Sequence, residues 1–79
     1  MSEIKWLLDK TLEELDITRN ALAVDAKVRP ATIQDMVNGL PKRVEFKTLL
    51  AILDSLNGMK TKRGITRDIE ISDIFIYKK

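Results

Sequence analysis

Seventy-nine residues allow one domain with a small core, because a chain of this length buries only about 60–65% of the surface that its unfolded form exposes. Cysteine and histidine are absent, which excludes disulfides, thiol nucleophiles, imidazole bases and the usual zinc or iron ligands; hydrophobic residues at 44% and charged residues at 33% fit a folded, soluble chain. The net charge of +2 hides an asymmetry: residues 1 to 28 hold six acids against four bases, and residues 42 to 67 hold seven bases against two acids, a distribution suited to a polyanionic partner.

In "EIKWLLDKTLEELDI" the apolar residues Ile4, Leu7, Leu8, Leu12 and Leu15 recur every three or four positions, which predicts a first helix with one buried face. Trp6 beside that stripe reads as a partly buried core or rim residue rather than a binding aromatic. "ITRNALAVDAK" opens with Thr18, whose hydroxyl can accept from a free helix amide, and continues with Ala21, Leu22, Ala23 and Ala26, small enough for a close helix neighbour.

"VRPATIQDMVNG" follows with Pro30 in a first helical turn and Asn38-Gly39 as a left-handed stop. Its apolar stripe is Ile33, Met36 and Val37, which leaves Ala31, Thr32, Gln34 and Asp35 on other faces. "EFKTLLAILDSLNG" predicts a fourth helix with Phe46, Leu49, Leu50, Leu53 and Leu56 in the core and a stop at Asn57-Gly58.

Beyond residue 58 the pattern weakens. Gly64 interrupts "MKTKRGITRDIEI", and Ile69 and Ile71 alternate around Glu70, so a hairpin, a strand or a loop fits residues 59–71. "SDIFIYKK" either starts a last helix at Ser72, the reading preferred here, or extends a strand through Ile74 and Ile76. Ile71, Ile74, Phe75 and Ile76 are expected to serve as core and as a self-association surface. The fold class expected is all-α: a compact domain of four or five helices over residues 1–79.

Catalysis is not expected. Glu13, Glu14 and Asp16 occupy neighbouring helix positions that do not face one another, Asp68 and Glu70 lack a following lysine, and Gly39, Gly58 and Gly64 stand apart rather than in a phosphate loop. No metal or cofactor is expected either. The longest runs without a charge are six residues, as in "TLLAIL", far below the roughly 18 of a membrane span, and "MSEIKWLL" shows no secretory signal, so a cytoplasmic location is expected.

Thr18 to Ala26 and Pro30 to Asn38 are separated by about three residues, a connection that makes two short helices cross steeply as a helix-turn-helix and projects the second from the surface. Such a helix fits the major groove of duplex DNA. The run "ITRNALAVDAKVRPATIQDMVNG" resembles, without a gap, the helix-turn-helix of the phage repressor and Cro family, often called the XRE family. Thr18, Leu22-Ala23, Val28, Thr32-Ile33 and Asn38-Gly39 fall at family positions, and the resemblance continues through "LPKRVEFKTLLAIL" to cover about residues 4 to 58.

The resemblance implies a lambda-repressor-like domain with its helix-turn-helix at 18–38, a recognition helix at 30–38 and a C-terminal extension at 59–79. It implies sequence-specific binding of double-stranded DNA through Arg19, Arg29, Pro30, Ala31, Gln34, Asp35, Asn38, Lys42 and Arg43. Gln34 is then the main hydrogen-bonding reader and Arg29 the cationic one. Pro30 and Ala31 offer only apolar contact, and Asp35 repels phosphate unless it accepts from a cytosine amine. Lys42 and Arg43, beside the amide-rich start of the next helix, would clamp a phosphate. The chain departs from the family pattern at Arg19, Lys27 and Arg29, where glutamine, glycine and a small capping residue are common.

The expected function is a dimeric transcriptional regulator that represses by occupying its operator. An antitoxin that also binds a toxin, or a protein-interaction module that keeps the fold without reading DNA, is the alternative. Lys60, Lys62, Arg63 and Arg67 make the extension either a second DNA-contacting arm or a solvated hairpin.

Overall fold

The computed structural model describes residues 2–41 and 43–79. Among these, four α-helices, α1 (Leu8–Leu15), α2 (Arg19–Ala26), α3 (Pro30–Val37) and α4 (Phe46–Lys62), lie between two short strands, β1 (Glu3–Trp6) and β2 (Phe75–Lys78); a single 3-10 turn, Ile71–Asp73, precedes β2.

The two strands pair antiparallel, with Ile4 opposite Tyr77 and Trp6 opposite Phe75. This corrects three expectations: the domain is mostly helical rather than all-α, the first helix starts at Leu8 rather than Ile4, and the chain from Phe75 is a strand rather than a last helix. The cause is a two-residue alternation at each end of the chain. Ile4 and Trp6 share one side of the pleat with Phe75 and Tyr77, and the Trp6 ring meets Phe75 edge to face at 5.2 Å. Trp6 is half-buried, as its position beside the stripe suggested. The Leu7 amide donates to Ile74 O at 2.7 Å and the Thr11 hydroxyl to Asp73 O at 2.6 Å, which fasten the sheet to the start of α1.

The core is built from Leu8, Leu12 and Leu15 of α1, Leu22 and Ala23 of α2, Ile33 and Met36 of α3, and Leu49, Ile52 and Leu56 of α4, closed by Ile17, Ile69 and Ile74. Each fully buried leucine or isoleucine contributes about 1.5–3 kcal/mol relative to exposure. Phe46 and Leu50, expected in this core, are instead 82% and 59% exposed. Successive positions turn by about 100°, so the buried arc centres on Leu49, Ile52 and Leu56, and Phe46 and Leu50 sit together on its flank. Of the C-terminal apolar residues, Ile74 is fully buried, Phe75 and Ile76 are half-buried, and Ile71 is exposed.

The predicted stop at Asn57-Gly58 is also overridden, since α4 runs through it to Lys62. Tertiary bonds outweigh the local signal: the Asn57 amide nitrogen donates to Leu53 O at 3.0 Å, one turn back, and to Ile69 O at 3.1 Å. The segment that follows, left open between hairpin, strand and loop, is a loop from Arg63 to Glu70. Lys60, only 8% exposed, pins it by donating from Nζ to Arg67 O at 2.6 Å and Thr66 O at 3.4 Å.

Candidate nucleic-acid interface

Local rules build the helix pair at the centre of the fold. Thr18 is extended (φ −78°, ψ 156°), and its hydroxyl accepts the Ala21 N–H at 3.0 Å, satisfying one free amide at the start of α2. The helix ends on Lys27 in the left-handed region at φ 58°, and the Val28 amide returns to Ala23 O at 3.0 Å. Arg29, extended and without a side-chain cap bond, then leads into Pro30 at the first turn of α3. At the far end Gly39 adopts φ 72°; its amide donates to Met36 O and that of Leu40 to Asp35 O, closing the last carbonyls of the helix. A β-carbon on Gly39 would lie 3.4 Å from the Trp6 ring, so the terminal sheet is packed against the end of α3.

With Ile33 and Met36 buried, Pro30, Ala31, Gln34, Asp35 and Asn38 are all exposed. At about 100° per residue these five occupy a single arc of roughly 140°. Arg19, exposed at the first position of α2, reaches across the turn and donates from Nη1 to Gln34 Oε1 at 2.7 Å. Arg29 stands exposed at the mouth of the same helix. Arg43, also exposed, lines a cleft with Thr32, Asp35, Leu40, Glu45 and Thr48, which brings the loop after α3 alongside Asp35. Lys42 lies outside the described residues, so the structure places eight of the nine expected positions.

The start of α4 adjoins this face. Glu45 is its N-cap and makes no side-chain cap bond, leaving the first amides and the positive end of the helix dipole beside Arg43. Lys47, exposed in the first turn, was not singled out in the sequence, although its place at the start of a helix just after the Lys-Arg pair was the available signal.

Three of the four basic residues of the extension have acidic partners, while Lys62, exposed at the end of α4, enters no ion pair among the described residues. Arg67 bridges Glu14 at 2.8 Å and Asp73 at 3.0 Å, Arg63 pairs with Asp16 at 3.5 Å, and Lys60 lies 3.4 Å from the Asp68 carboxylate. The hydrogen bond to Glu14, then that to Asp73, raises the Arg67 pKa above its ordinary value. Glu14 on α1 and Asp16 just after it, both far away in sequence, therefore pair with cations that looked available for DNA. Arg29, Arg43 and Lys47 enter no ion pair among the described residues.

Among the described residues no group of three or more acidic side chains could hold a metal ion, and no helix is long and apolar enough to cross a membrane. A family model for the Cro/C1-type HTH DNA-binding domain matches residues 7–58, which span α1, the helix pair and most of α4. No curated protein and no solved structure matches the chain significantly.

Proposed function

The chain belongs to the Cro/C1-type HTH DNA-binding family, and on that premise we propose that it is a sequence-specific regulator of transcription that binds double-stranded DNA as a homodimer and represses by occupying its operator. The observation that carries this reading is the exposed arc of α3, with Arg29 at its start, Arg19 bonded to Gln34 at its middle, and Arg43 and the start of α4 beside Thr32 and Asp35. An α-helix about 10–12 Å across fits the roughly 12 Å major groove, and the cations that flank it would grip the phosphates on either side. Arg29, Arg43 and Lys47 set the register on the backbone, and Gln34, Asp35 and Asn38 face base edges.

The dimer follows from contact number, since one module of this size makes too few contacts for specific affinity. Two copies on half-sites one helical turn apart combine theirs. Phe46 and Leu50, adjacent and exposed on α4, and the exposed pair Ile4 and Tyr77 on the sheet supply apolar surface for self-association. Repression then needs only occupancy.

The test is selection from a random-sequence duplex pool at about 150 mM salt, where non-specific attraction is partly screened. Enrichment of a two-fold symmetric motif is expected. An unsymmetric motif would remove the dimer but keep the regulator, and a folded sample that enriches nothing would remove DNA reading altogether.

A further inference from the structure

The contact between Arg19 and Gln34 constrains what the recognition surface can read. Gln34 is the best-placed hydrogen-bonding side chain in the exposed arc of α3, and a free carboxamide is ambivalent: it can donate from Nε2 and accept at Oε1, the combination that suits adenine with its N6 amine and N7. Here it is not free. Arginine carries donors only, so the atom facing Nη1 at 2.7 Å must be the oxygen, and the amine is turned away from the guanidinium. The oxygen keeps one lone pair, but that lone pair lies beside a full positive charge, which repels an approaching amine donor.

We infer that Arg19 is a specificity-determining residue that fixes Gln34 as a donor and biases the position it faces toward guanine. This rests on the DNA-reading assignment above. Guanine is the base whose major-groove edge offers two acceptors, O6 and N7, and no donor. The carboxamide N–H groups match that edge. Adenine offers one acceptor and one donor, and the donor meets the guanidinium. The bond joins the first turn of α2 to the middle of α3, so the readout of one helix is set by a residue of the other.

The test compares four proteins in the same duplex selection: wild type, Arg19→Met, Arg19→Lys and Gln34→Ala. All three substitutions alter exposed side chains, and thermal melts confirm that each variant folds. The wild type should enrich guanine at one position per half-site, and Gln34→Ala should relax that position alone. Arg19→Met frees the carboxamide oxygen, so the guanine-to-adenine ratio there should fall about tenfold, the scale of one base contact. Arg19→Lys, which keeps a cationic donor, should retain most of the preference. Loss of overall affinity through a missing phosphate contact would leave the ratio unchanged, so the ratio isolates the proposed role. An unchanged ratio in Arg19→Met overturns the inference, as does a wild-type motif with no guanine where Gln34→Ala relaxes it; either leaves DNA reading intact. Absence of any wild-type motif overturns both.

Discussion

The carboxamide of Asn57 holds the backbone of Ile69 on both sides, donating from Nδ2 to its carbonyl at 3.1 Å and accepting its N–H at Oδ1 at 2.9 Å. This two-bond clasp joins α4 to the start of the C-terminal run and seats Ile69 in the core. Asn57→Ala should leave both Ile69 groups without a partner in a half-buried position, at a cost of about 2 kcal/mol. In a domain of this size that corresponds to a fall in Tm of about 10 °C, measurable by circular dichroism.

Lys27 occupies the left-handed region at φ 58°, where a β-carbon is strained. Lys27→Gly should relieve that strain. Allowing for the greater freedom of glycine in the unfolded chain, a net gain of about 0.5–1 kcal/mol is expected, seen as a Tm several degrees higher.

Arg29 stands at the N-cap of α3 without making a cap bond. Serine there would accept a free amide and stabilise the helix by about 1 kcal/mol. On the proposed function it would also remove a cation at the mouth of the recognition helix. Arg29→Ser should therefore raise Tm and weaken DNA binding, and a melt paired with a titration separates the two effects.

Arg43 and Arg67 carry the same charge and should behave in opposite ways. Arg43→Ala should weaken binding to every duplex and lower the slope of log affinity against log salt by about one unit. Arg67→Gln should leave the slope unchanged and cost at most about 1 kcal/mol of stability, because its pairs with Glu14 and Asp73 are partly exposed. The folded-state pKa of Arg67 is raised, so the stability tied to its charge is fully present below the ordinary arginine value and is lost only as pH rises through the higher one. Melts across the neutral range should show no step from this group.

The helix pair was legible in the sequence because its signals are local. Thr18, Pro30 and Asn38-Gly39 mark three helix boundaries within about twenty residues, and each adopts its expected place. The ends of the chain were not legible. Ile4, Leu7 and Leu8 satisfy a helical spacing, and the alternation of Ile4 and Trp6 acquires meaning only opposite Phe75 and Tyr77, about seventy residues later. Phe46 and Leu50 failed for a related reason: two stripes of α4 are apolar, and only packing against α2 and its neighbours selects the one centred on Ile52. The basic zone was readable as charge but not as an address, because Glu14, which pairs with Arg67, and Asp16, which pairs with Arg63, lie on and just after α1. For the candidate site, the sequence supplied the exposed positions of α3, and the structure added the bond that ties Gln34 to Arg19.

On the proposed function, DNA meets the exposed arc of α3 and the start of α4, and not the basic extension. α4 is 17 residues long, so its two ends lie roughly 25 Å apart and report independently. Titrating the isotope-labelled protein with duplex DNA and following backbone amide shifts by NMR tests this directly. Shifts concentrated at Arg19, at Arg29 to Asn38 and at Arg43 to Thr48, with Lys60 to Asp73 unmoved, are the predicted result. Shifts centred on Lys60 to Asp73, with α3 silent, would contradict it.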